Sequence, residues 1–204
     1  MTRMIRRMIG ASAVALVFAM SFAAAQAPEM VRVRGTIEGI NGQTLNVKAR
    51  DGAALVIQLV ANAPVRTAVK ASLSDIKQGD FIAVTGLPQP DGTQKAVSIA
   101  IFPEALRGLG EGYRPWDWLP NSKMTNATVD STVAGVDGQV LTLKYKDGEQ
   151  KVVVTPSTEI TKLVAGSMAD VKVGEKIFIA ATKKLPDGTL EAPNITVGDY
   201  GVWR

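Results

Sequence analysis

The chain has 204 residues, 46% of them hydrophobic, with 23 basic and 19 acidic side chains and neither a histidine nor a cysteine. The length suits one ordinary domain or two small ones. The missing residue types exclude disulfides, Ser-His-Asp and Cys-His catalysis, CxxC redox chemistry and the usual zinc and copper ligands.

Arg3, Arg6 and Arg7 precede an uncharged apolar stretch, residues 8–25, that ends in small residues. This is the pattern of a secretory signal peptide and predicts a periplasmic or secreted protein. Cleavage is expected after Ala25, since cutting after Ala27 would leave Pro28 at the new terminus. An uncleaved anchor is the alternative, because the stretch reaches the lower edge of what spans a bilayer. Removing three arginines lowers the formal charge from +4 to +1. The mature chain therefore lacks a basic footprint for nucleic acid, and no later stretch is apolar enough to span a membrane.

From Met30 the pattern is β. Val31, Val33 and Ile37 alternate with polar residues, as do Leu45, Val47 and Ala49, the period of half-buried strands. Asn41-Gly42 and Asp51-Gly52 mark turns between them. "ALVIQLV" supplies a third strand, and "SLSDIKQGD" one helical turn with a Ser cap, closed by Gly79. "FIAVTG" and "KAVSIAIF", joined through Pro90-Asp91-Gly92, supply the fourth and fifth strands. The pattern then recurs. "TIEGINGQTLNVKARDG" from Thr36 lies over "TVAGVDGQVLTLKYKDG" from Thr132, and "SLSDIKQGD" over "SMADVKVGE"; "PDGT" occurs at Pro90 and at Pro186. Self-similarity at one long period predicts two tandem units. The expected architecture is all-β: a signal peptide (1–25), a five-stranded OB-like barrel (26–102), an aromatic Pro/Gly-rich linker (103–129) and a second barrel with a tail (130–204). Pro193 falls inside the last strand and predicts an edge strand there.

The "DG" hairpin, the Val-rich strand, "LSDIKQGD" and the "PDGT" hairpin resemble exported bacterial β-barrel domains of unknown function. With the linker, "FPEALRGLGEGYRPWDWLPNSKMTNATV", the mature chain resembles small exported proteobacterial proteins often labelled metal ABC transporter permeases. A permease needs several membrane spans, so the resemblance implies at most an accessory to metal uptake. It also implies a linker histidine where Tyr113 stands here.

No catalytic constellation, metal site or cofactor motif emerges. Asp91, Asp137, Asp147 and Asp187 are turn residues beside glycine. Glu104, Glu111 and Asp117 could form an acid/base pair for glycoside hydrolysis, which leaves a small glycan-active enzyme as a second alternative. If the first hairpin pairs Ile37 with Val47, Arg34 faces Arg50 on the outer surface, with Arg32 and Lys48 diagonal to them. The corresponding pair in the second unit is Asp130 with Lys146. This basic face is either a solvated surface or an acceptor for an acidic partner. Tyr113, Arg114, Trp116, Asp117 and Trp118 fall within the linker. They form either a clasp over the barrel junction or an exposed recognition platform, and Leu106, Leu109 and Leu119 favour the clasp. The expected function is a non-catalytic exported protein that binds an envelope protein, glycan or acidic ligand. Arg32, Arg34, Lys48, Arg50, Tyr113, Arg114, Trp116, Asp117 and Trp118 are its candidate contacts.

Overall fold

A computed structural model describes residues 30–135 and 138–200. The signal-peptide expectation and Asp137 lie outside the described residues. In chain order the strands are β1 (Met30–Asn41), β2 (Thr44–Ala49), β3 (Ala54–Leu59), β4 (Val65–Lys70), β5 (Phe81–Pro88), β6 (Gln94–Ile101) and β7 (Gly112–Pro115). β8 (Lys123–Gly135), β9 (Gly138–Tyr145), β10 (Gly148–Val154), β11 (Glu159–Ala165), β12 (Lys176–Lys184), β13 (Leu190–Ala192) and β14 (Ile195–Val197) follow. Single 3-10 turns at Leu73–Asp75, Glu104–Leu106 and Met168–Asp170 complete the elements. The protein is all-β. No helix among the described residues is long and apolar enough to cross a membrane.

Local structure follows the sequence pattern closely. Along β1, Val33 and Ile37 point into the core while Arg32 and Arg34 lie on the other face. β1 and β2 pair with Ile37 opposite Val47, and the Arg50 N–H donates to the Arg34 carbonyl at 2.9 Å. The register shifts at Glu38, and Gly42 turns the hairpin with φ +60°. The 3-10 turns at Leu73 and Met168 are capped alike: the Ser72 N–H donates to the Asp75 carboxylate and the Ser167 N–H to Asp170, each at 2.7 Å.

Long-range pairing departs from the expectation of one barrel per half. β1 pairs β2, β2 pairs β3, β3 pairs β13, β13 pairs β12, and β12 returns to β1. The second ring runs β8, β9, β10, β6, β5 and back to β8. Each ring is a closed five-stranded barrel in the OB-like order first, second, third, fifth, fourth. Each takes three strands from one half and two from the other. The 26–102 and 130–204 units are thus interleaved rather than separate. The cause lies after each third strand, where the chain does not turn back. β4 and β11, which the sequence reading missed, pair antiparallel with one another and carry the chain across to the other barrel. The first core accordingly sets Val33, Leu45 and Ile57 against Ile177, Ile179 and Leu190; the second sets Ile82 and Ile99 against Leu141, Leu143 and Val152.

Two further expectations are corrected. Pro193 does not mark an edge. β13 lies between β12 and β3, and β14 between β12 and β4, so Pro193 occupies the gap where the strand changes partner. A missing N–H costs nothing there because the ladder is interrupted. Asp130 does not meet Lys146. A register shift between Val129 and Ser131 places it against Lys144, at 3.0 Å.

The linker also proves more ordered than a connection. Its last residues, from Lys123, already belong to β8, and β7 pairs back on that strand with Tyr113 opposite Thr125. Ala83, Ala100 and Met124 form a small apolar cluster, with Phe102, Trp116 and Tyr200 packed against it.

Candidate functional site

The turn from Trp116 to Ser122 is shaped by its own residues. Leu119-Pro120-Asn121-Ser122 closes with Ser122 N–H donating to the Leu119 carbonyl at 3.0 Å, and Asn121 takes φ +63°. Proline followed by a positive-φ asparagine is the signature of a type II turn. The buried Ser122 hydroxyl donates to the Trp116 carbonyl at 3.0 Å and accepts from the Leu119 N–H at 3.1 Å. The Trp116 N–H donates to the Ser122 carbonyl at 2.9 Å. These bonds present Trp116, Asp117 and Trp118 as one rigid unit.

That unit sits on the basic face of β1. Asp117 accepts from Arg32 at 2.6 Å and takes a two-pronged contact from Arg34, at 2.9 and 3.3 Å. Trp116 lies against Arg32, whose guanidinium carbon is 3.9 Å from the ring centre, with Arg114 at 5.7 Å. Trp118, only 4% exposed, lies between Arg50 at 4.2 Å and Arg34 at 5.3 Å. Arg34 also stands 5.2 Å from Phe178, which stacks on Tyr200 at 5.0 Å. Arginine over an indole face is favourable because the ring carries negative charge on its faces. The basic face and the aromatic linker, two separate candidates in the sequence, are one contact.

The acidic group facing Arg32 and Arg34 is therefore the chain's own Asp117. Burial pulls the Asp117 carboxyl upward, but hydrogen bonds from Arg34 and Arg32 outweigh it and hold the net value below the ordinary carboxylate range. A carboxyl lowered in the folded state stabilises fully above its unfolded value and loses that contribution as pH falls through the folded one. Asp117→Asn is expected to cost about 1 kcal/mol near neutral pH, as partly exposed ion pairs do. The deficit against wild type should shrink as pH drops below about 4, the unfolded carboxyl value, and vanish only once pH has fallen through the lower folded value. Thermal unfolding of both proteins across that range checks it.

Lys48, Arg50 and Tyr113 stay exposed, while Arg114 and Trp116 are half-buried. The Arg114 guanidinium donates to the Gly110 carbonyl. Burial, and then the charge of Arg32, push its pKa below the ordinary arginine value. The other linker acids are spread apart. Glu104 pairs with Arg107 at 2.6 Å, and Glu111 accepts from the Lys146 N–H at 3.1 Å. Among the described residues no three carboxylates gather to hold a metal ion.

Residues 34–100 match the family model of a domain of unknown function, DUF5666. No curated protein and no solved structure matches the chain. The DUF5666 span runs from within β1 almost to the end of β6, so here it supplies strands to both barrels. It contains Arg34, Lys48 and Arg50, whereas Trp116, Asp117 and Trp118 come from outside it. The clasp is thus added to the DUF5666 span by a segment that follows it.

Sequence reasoning did not single out Phe178, Tyr200, Arg66 or Ser122. Phe178 reads as one more strand residue, and nothing local places it beside Arg34. Ser122 was legible in principle, because Leu-Pro-Asn-Ser is a turn sequence in its own right.

Proposed function

We propose that this is a non-catalytic exported protein that binds an envelope component at the seam between its two barrels. The observation that carries this reading is the cluster of arginines and aromatic rings at that seam, with Trp116 left half-buried between Arg32 and Arg114. Its chemistry suits holding rather than reacting. Guanidinium groups stay protonated in proteins and so move no protons, and Asp117 is kept ionised by two of them, which makes it a poor base. Planar rings beside fixed cations are a common recognition surface. Export follows from the arginines and apolar stretch at the N-terminus. The two barrels are read as copies of one duplicated unit, since the matching stretches from Thr36 and from Thr132 form equivalent hairpins, β1–β2 and β8–β9.

Native mass spectrometry of the protein recovered from the cell envelope fraction tests this. The expected result is a chain lacking residues 1–25 with a bound mass that leaves unchanged on denaturation. Trp116→Ala should lose most of it. An empty wild-type protein, or equal retention by the variant, would rule the reading out. A bound mass that is chemically altered on incubation would point to an enzyme.

A further inference from the structure

Beside the clasp, the seam holds a cavity of about 230 Å³. Small-molecule sites run to roughly 300–1,000 Å³, so its occupant is smaller than a drug-sized ligand. Three arginines line it, and they come from distant parts of the chain: Arg32 from β1, Arg66 from β4 and Arg114 from β7. Arg32 shares the Asp117 carboxylate with Arg34. Arg66 and Arg114 have no carboxylate partner among the described residues. Arg66 donates to the Asn194 side-chain carbonyl at 3.2 Å, and Arg114 to a backbone carbonyl. No aspartate or glutamate lines the cavity among the described residues.

Much of the remaining wall is apolar, with Phe102, Leu106, Met124, Leu163 and Phe178 among its residues. Asn126 also lines it and is only 5% exposed; its amide nitrogen donates to the Leu109 carbonyl at 2.8 Å, while its Oδ1 has no partner. Buried polar atoms normally find a partner, and this one lies in the wall of a cavity. Arg66 and Arg114 are half-buried and bonded only to neutral oxygens, so an anion entering this pocket would meet two guanidiniums whose charge no carboxylate offsets. Charge, lining and size together describe one kind of occupant.

We propose that the seam cavity binds a small organic carboxylate with a compact apolar body, its oxygens met by Arg66 and Arg114, which rests on the binding role given above. Arginine suits this task because its donors form a rigid fork matching the two carboxylate oxygens. The apolar body lies against Phe102, Phe178 and Met124. A hydroxyl or amide on it would satisfy Asn126.

Fluorine NMR titration of the mature chain with 4-fluorobenzoate provides the test. Saturable binding is expected, with 4-fluorobenzyl alcohol and 4-fluorobenzylamine at least about tenfold weaker, since a charge-assisted hydrogen bond is worth that much. Arg66→Gln and Arg114→Gln should each weaken binding about tenfold, while Lys95→Gln, a substitution outside the cavity, should not. Ala180 is an exposed residue in the cavity lining, so Ala180→Trp should block entry without touching either barrel core. Its unchanged unfolding temperature would separate loss of the site from loss of the fold. The proposal is overturned if the alcohol binds as well as the acid, if inorganic phosphate binds as tightly as 4-fluorobenzoate, or if the arginine variants bind normally. Absence of saturable binding overturns it too. If that happens while the envelope-derived mass stays bound, the ligand class falls and the binding role stands. If both fail, both fall.

Discussion

Residues 26–102 expressed alone are expected not to fold into a monomeric barrel, although they carry the whole DUF5666 match. The first barrel needs β12 and β13 to close, and both lie in the other half. Without them Leu45, Ile57 and Leu59, almost fully buried in the intact protein, lose Ile177, Ile179 and Leu190 as neighbours. The second ring would equally lose β5 and β6 from the fragment 103–204. A fragment this small, with an apolar sheet face that has lost the strands packed against it, buries too little surface to be stable by itself. Mixing or co-expressing the two fragments should restore a one-to-one complex with the near-ultraviolet circular dichroism of the intact chain. Size-exclusion chromatography with urea unfolding of each fragment and of the mixture decides the matter. A cooperatively unfolding monomer of 26–102 would mean that the strands prefer to close locally. The same exchange implies slow folding, because the β1–β12 pairing joins strands near opposite ends of the chain.

Trp118→Ala is expected to be the most damaging single change at the seam, costing about 3–5 kcal/mol, the range for removing a buried large aromatic. For a protein of this size that lowers the melting temperature by about 10 °C. Trp118 is 4% exposed and fills the space between Arg34 and Arg50. Its removal leaves a void and separates the linker from the β1–β2 hairpin. Trp118→Phe should recover part of the loss, since a smaller ring still offers a face to both guanidiniums. Tyr113→Ala, at a side chain 38% exposed on β7, should cost under about 0.5 kcal/mol. Chemical denaturation of the three variants measures these differences. Equal losses for Trp118→Ala and Tyr113→Ala would show that the ring is not a structural anchor.

The contrast between those variants marks how far the linker could be read from its residues. Its leucines favour a clasp, and Trp118 is buried as a clasp requires. Nothing local distinguished Trp118 from Trp116 or Tyr113, because all three are aromatic residues of one short segment. Their burial depends on what lies opposite each ring. Trp118 meets two arginines that come from β1 and the end of β2, whereas Tyr113 points from a short outer strand with Lys123 6.0 Å away.

By itself the sequence determined the all-β class, the turns, the register that sets Arg34 opposite Arg50, and the Ser-capped turns before β5 and β12. These follow from alternation, from glycine and asparagine tolerating positive φ, and from side chains reaching their own backbone, all of them interactions within a few residues. Only the tertiary structure decided which strands close which barrel, and with that where the seam and its cavity lie. Both halves carry similar fourth and fifth strands, so local propensity and hydrophobic pattern fit either pairing. The choice shows in β4 and β11, which pair with each other across the junction and deliver the last strands of each half to the opposite barrel. Contacts between residues so far apart in sequence leave no local periodicity to read.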